Sequence, residues 1–281
     1  MPILRRFLVL ALAASALVAQ ARQAYGGEIA PELETLELRH KALAETKRLL
    51  GGLGASEQKR LVGLYLAFDS SASDPSAMVA CDDDGDYVIV VSDAMLRLLS
   101  LVARAQSYDE ANGSRAIEDY ATFVARSQVA GRRLLPPPPG FFTAPLPGTT
   151  QDTRLREALA FVLARELTEL RGGALVCAHP TATHEHGDDE WTVAEQQRAL
   201  ESAASVYPSR AIDHDTEATV RVLDSGRGAD GALGILRFFA QVEIERAARA
   251  SRFVPTYVVH HPGAAARVAV VQNAAKEQRT P

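Results

Sequence analysis

The sequence predicts an α+β fold, predominantly helical with one small sheet. Helical segments succeed one another along most of the 281 residues. A single stretch, SAMVACDDDGDYVIVVS (76–92), sets two short β-prone runs about an acidic Asp-Gly turn and reads as a hairpin. An apolar content of 47% is ordinary for a globular core, and no internal repeat interrupts it.

The chain opens with MPILRRFLVLALAASALVAQA, which has the three parts of a secretory signal. Arg5 and Arg6 form a charged start, residues 7–18 an apolar run short for a bilayer, and Ala19 and Ala21 a small-x-small cleavage site. A single membrane anchor is the competing reading. Residues 1–21 are thus expected to be a signal peptide and 22–281 a single domain. Its removal leaves 28 basic against 35 acidic residues, a net charge of −7. No basic face is implied, so nucleic acid is excluded as a partner class. No later segment has about 18 uninterrupted apolar residues, so the mature chain is not expected to span a membrane. The expected location is periplasmic or secreted. In that oxidising setting Cys81 and Cys177 are expected to form a disulfide; two buried thiols are the alternative.

Residues 32–50 read as a charged amphipathic helix, with Leu33, Leu36, Leu43 and Leu49 loosely at helical spacing. GGLGAS ends it, and Ser56 is a candidate cap for the next helix. After the hairpin, DAMLRLLSLVARA begins a helix with Asp93 near its start, and another covers about 115–130. Residues 131–153 read as a loop, stiffened by Pro136 to Pro139. Phe141 and Phe142 would be costly to expose there, so the loop is either a surface connection or a flap beside a cleft. Asp152 or Thr153 is the candidate cap of the following helix. Residues 174–192 are polar and His-rich, and helices are expected at about 192–205, 211–224 and 229–250.

The informative helix is LREALAFVLARELTELRGG (155–173). Its segment ALAFVLA is apolar on every side, the mark of a helix buried all round. Arg165, Glu166 and Glu169 then arrive together, with Glu166 and Glu169 continuing the stripe of Leu155, Leu159 and Val162. Charges on a buried face are expensive unless paired or metal-bound. In H-E-x-x-H, two histidines four apart grip zinc and the glutamate serves as general base. Here Arg165 and Glu169 stand at the histidine positions and Glu166 at the base.

Four segments in order resemble the zinc metallopeptidases of the HtpX and CAAX prenyl protease group, especially their soluble exported relatives. They are the hairpin with its following helix, LAFVLARELTELRGG, DHDTEATVRVLDSG, and HHPGAAAR. The third is similar to a helix that reads E-x-E-A-D; the fourth matches H-P-x-x-x-x-R through His261, Pro262 and Arg267. The resemblance implies a gluzincin-like core with an edge hairpin beside the active-site helix. It aligns the third zinc ligand with Asp213 and its supporting aspartate with Glu217. His261 and Arg267 become candidates for the cleft, and the strand near 87–91 for an edge onto which an extended peptide adds.

Both histidine ligands are therefore lost, and arginine, a donor only, cannot ligate a cation. The expectation is that Arg165 replaces the ion, paired to Glu169 and Asp213, with no metal or other cofactor. Glu166 would then be a structural acceptor at a retained but inactive base position. The functional expectation is a pseudopeptidase that binds an unidentified protein or peptide in the cell envelope. The alternatives are an active zinc metalloendopeptidase with atypical ligands, and a purely structural envelope component. The tract around His179, His184 and His186 is a candidate transition-metal binder or a solvated loop. His214, beside Asp213, is expected to be exposed.

Overall fold

The computed structural model describes residues 31–70, 73–82, 85–129, 131–144, 148–171, 177, 212–249 and 255–278. The expected signal peptide, the helix at 192–205 and His179, His184 and His186 lie outside the described residues. The elements, in order, are helices α1 (Pro31–Gly51) and α2 (Ala55–Arg60), then strands β1 (Tyr65–Asp69), β2 (Ala77–Cys81) and β3 (Tyr87–Ser92). Helices α3 (Asp93–Asn112), α4 (Ala116–Ser127) and α5 (Gly148–Arg171) follow. A helix over 212–224, α6, precedes α7 (Asp230–Arg249), α8 (Thr256–His260) and α9 (Ala264–Glu277). Among the described residues the fold is mainly helical with one three-stranded sheet. No helix among the described residues is long and apolar enough to cross a membrane.

Helix α5 is the axis of the molecule. Every residue from 157 to 170 is buried, as expected of a segment apolar on all sides. It packs against α1, α3, α7, β2 and β3. Helix α1 meets it with Leu38, Ala42, Glu45 and Leu49, whereas Leu36 and Leu43 are exposed. The buried stripe keeps Leu49 of the expected leucines but is rotated away from Leu36 and Leu43. A buried glutamate occupies it, held by Arg227 (2.6 Å) and Arg156 (3.3 Å).

The hairpin forms as expected. β2 pairs antiparallel with β3, and Gly85 takes φ 80° in the turn, where a side chain would be strained. An unexpected strand, β1, adds parallel to the other side of β3. The order is β1-β3-β2, so β3 is central and cannot be the open edge expected near 87–91. β2 is the edge strand that touches α5. Cys81 at its end lies at disulfide distance from Cys177, with Cα atoms 5.4 Å apart, tying the chain beyond α5 to the sheet.

Several boundaries differ from expectation. Gly54, rather than Ser56, precedes α2, and Glu57 accepts its N–H. Ser92 caps α3 by accepting from Met95 N–H. Helix α5 begins at Gly148, so residues 148–153 are helical, and Asp152 pairs with Lys41 and Arg156 instead of capping. Phe141 and Phe142 pack on Tyr120 and Tyr108, fastening the proline loop to α3 and α4 as a surface connection.

α7 approaches α5 at backbone contact. A Cβ on Gly231 would come within 2.7 Å of Ala158 N and 2.6 Å of Glu157 Cβ, and Gly231 N–H already donates to the Glu157 carboxylate. Neither backbone can yield cheaply. Gly231→Ala is expected to destabilise the fold by about 1–3 kcal/mol, read as a fall in thermal midpoint. An unchanged midpoint would mean that the two helices are free to slide.

Candidate functional site

Four elements converge on one buried polar cluster. α5 supplies Arg165, Glu166 and Glu169. α6 supplies Asp215, the end of α8 leads to His261, and α9 supplies Arg267. Arg165 is fully buried, and so are Glu166 and Asp215. Arg165 Nη1 donates to Glu169 Oε1 at 2.6 Å, one helical turn on. The same nitrogen lies 2.9 Å from His261 Nε2, and Nε lies 3.2 Å from Asp215 Oδ1. Arginine offers only donors, so His261 Nε2 must accept and its proton sits on Nδ1. Burial, reinforced by Arg165 and Arg267, holds the His261 pKa well below its ordinary range, which agrees with a neutral ring.

Asp215 joins two arginines. Besides Arg165 it accepts a fork from Arg267, with Nη2 to Oδ1 at 2.9 Å and Nε to the other oxygen. Arg267 Nη1 continues to His261 O at 2.9 Å, which fixes the turn carrying the imidazole. The Tyr257 ring backs His261 at 4.5 Å between centroids and stacks on Phe239 at 5.2 Å.

Glu166 behaves differently. Its nearest charged or ring nitrogens are His261 Nε2 at 3.5 Å and Arg165 Nη1 at 4.0 Å. Neither oxygen has a hydrogen-bond partner among the described residues. Burial, with Glu169 adding to it, pushes its pKa well above the ordinary range against the pull of Arg165 and Arg267. A protonated Glu166 leaves two guanidinium charges facing the carboxylates of Glu169 and Asp215, a balanced buried set.

That proton has a measurable consequence. The unfolded side chain ionises near 4.5 and the folded one only higher. The folded state therefore binds the extra proton, and its stability falls as pH rises from about 4.5 towards the folded value. Glu166→Gln keeps the shape and removes the titration. The thermal stability of the variant relative to wild type is expected to climb with pH across that window, by about 1.4 kcal/mol per pH unit. A difference that stays flat between pH 5 and 8 would show that Glu166 is ionised in the fold.

The expected partner Asp213 is not in the cluster: it is exposed, and Asp215 takes the role. At 100° per residue, positions 213 and 215 point to opposite sides of α6. Asp215, Ala218, Thr219 and Val222 form its buried stripe. Aligning E-x-E-A on Asp215, Glu217 and Ala218 would have given this register from the sequence. Glu217 likewise lies outside, half-buried and paired with Arg221 at 2.8 Å. His261 and Arg267 are brought into the cluster. His214 is half-buried rather than exposed, with Nδ1 4.0 Å from Glu169 Oε1 at the rim.

A zinc ion does not fit beside these side chains. The acceptor atoms of Glu169 and His261 both converge on Arg165 Nη1, which stands where an ion bridging them would stand. A cation there would touch a guanidinium that has no means of losing its charge. No family model, curated protein or solved structure matches the chain.

Proposed function

We propose that this chain is an exported, non-catalytic protein on a metallopeptidase-like, gluzincin-type scaffold, and that it binds an extended protein or peptide segment in the cell envelope. The observation carrying the reading is the Arg165 head group at 2.6–3.2 Å from Glu169, His261 and Asp215. A fixed cation inside the cluster satisfies acceptors of Glu169, His261 and Asp215 that would otherwise need a metal. It offers neither an acidified water nor a Lewis acid for a peptide oxyanion. Glu166, its pKa raised by burial, has no acidified water to deprotonate. The Cys81–Cys177 pair suits an oxidising compartment. β2, with one edge unpaired among the described residues and Met78 exposed, is the strand onto which an extended segment can add.

The test is elemental analysis of the purified mature protein together with casein as substrate. The expected result is far less than one metal ion per chain, no cleavage, and no effect of chelators. Casein is expected to be retained on the immobilised protein, and Met78→Lys, which charges the strand edge, to reduce that retention. Stoichiometric zinc with chelator-sensitive cleavage would establish the alternative, an active zinc metalloendopeptidase with atypical ligands. Retention that is absent, or indifferent to Met78→Lys, would refute docking at β2.

A further inference from the structure

Around the Arg165 head group stand three residues whose donor atoms could serve a metal. One atom each from Glu166, Glu169 and His261 lies within 4.8 Å of the other two, and all three residues are buried. Some point then lies within roughly 2.8 Å of all three, so a contraction of a few tenths of an ångström gives calcium–oxygen distances, and somewhat more gives those of zinc. The positions aligned with zinc ligands by resemblance were Arg165, Glu169 and Asp213; this set shares only Glu169 with them. Glu166 supplies an independent sign of a ligand. It is fully buried and neither oxygen has a partner among the described residues, an arrangement that native interiors rarely leave unexplained. The His261 Nδ1 atom and the Arg165 Nη2 atom are also without hydrogen-bond partners among the described residues.

We propose that Glu166, Glu169 and His261 form a latent divalent-cation site whose place is held by the tethered guanidinium of Arg165. The proposal rests on the reading of Arg165 as an internal cation and carries it further, because it names the ion that could succeed it. Two carboxylates, with Glu166 releasing its proton when an ion binds, and one imidazole neutralise a divalent charge. Their nitrogen and oxygen donors favour zinc or manganese over calcium. The tether explains the preference of the native chain: an attached cation competes at high effective concentration against any ion in solution. Shortening the side chain removes that competitor and leaves the three donors facing vacant space.

The experiment uses Arg165→Ala in the otherwise complete mature chain. Thermal midpoint and near-ultraviolet circular dichroism are followed during titration with zinc, manganese, calcium and, separately, millimolar guanidinium chloride. The expected result is that zinc or manganese binds one ion per chain and restores at least half of the midpoint lost by the substitution, while wild type does not respond. Adding Glu166→Ala and His261→Ala to the variant is expected to abolish the rescue. If Arg165→Ala does not fold unaided, folding is initiated from denaturant with and without each ion, and metal-dependent recovery of the native spectrum is the supporting outcome. No response to zinc or manganese overturns the proposal, as does rescue that survives loss of Glu166 and His261, or rescue by guanidinium alone. The metal content of wild type, which decides the functional reading, is measured independently of all these outcomes.

Discussion

Arg165→Ala is expected to lower stability by about 3–5 kcal/mol, the usual cost of breaking a buried ionic arrangement from one side. In a chain of this length that is a fall in thermal midpoint on the order of 10 °C. The loss has two parts. Glu169 and Asp215 each lose a charge-assisted donor, and His261 Nε2 loses the proton it accepts. None of the three can recover the loss by turning freely to water, because Asp215 and His261 are enclosed and the Glu169 side chain retains only 11% of its exposure. The lost packing of a large side chain adds a cavity term. A control separates charge from volume. Arg165→Met fills part of the space but strands the carboxylates, and Arg165→Met combined with Glu169→Leu removes one of them. The double variant is expected to be the more stable of the two. An Arg165→Ala midpoint within a degree of wild type would end the view that this guanidinium holds the helices together.

How much of this could be read from the chain depended on where the signal was local. The all-round apolar face of 158–164 made α5 unmistakable, and two β-prone runs about an Asp-Gly turn made the hairpin. The cluster was half legible. Arg165, Glu166 and Glu169 stood out because charges at the end of a buried stripe must be compensated, but nothing in the stripe names the compensating residues. Those lie on helices far along the chain; His261 is 96 residues from Arg165. Their inclusion was suggested only by the H-P-x-x-x-x-R pattern. On α6 the choice between Asp213 and Asp215 was a matter of register, and the apolar positions Ala218 and Val222 mark the buried side that decides it. The central place of β3 is hidden in the sequence because β1, five residues long and without clear alternation, makes its pairing with a strand more than 20 residues away. Without β1, β3 looks like an edge; with it, the edge passes to β2. Glu45 shows the same limit, since a buried glutamate on α1 looks like a solvated one until Arg227 and Arg156 arrive from elsewhere.

Asp215→Ala is expected to be at least as damaging as loss of Arg165, although it removes a smaller side chain. Asp215 is the single carboxylate between two buried guanidinium groups, accepting one bond from Arg165 and two from Arg267. Its removal takes the carboxylate from Arg267, which keeps the His261 carbonyl and the neighbouring Tyr257, and sets two fixed positive charges against each other in an interior of low polarity. Neither arginine can shed its charge, so the repulsion cannot be relieved by titration as it could be between carboxylates. The expected loss is about 3–5 kcal/mol for the uncompensated arrangement, with Asp215→Asn intermediate because one carbonyl oxygen can still accept. The decisive comparison is a double-mutant cycle. Once Arg165 has been replaced by methionine, Asp215→Ala removes the partner of one arginine instead of two and no longer creates a like-charge pair. Its cost in that background is expected to be smaller by about 1–3 kcal/mol, the coupling typical of residues in one buried network. Strict additivity, measured by denaturant midpoints at constant slope, would mean that Asp215 serves Arg267 alone and that Arg165 is held by Glu169 and His261 without it.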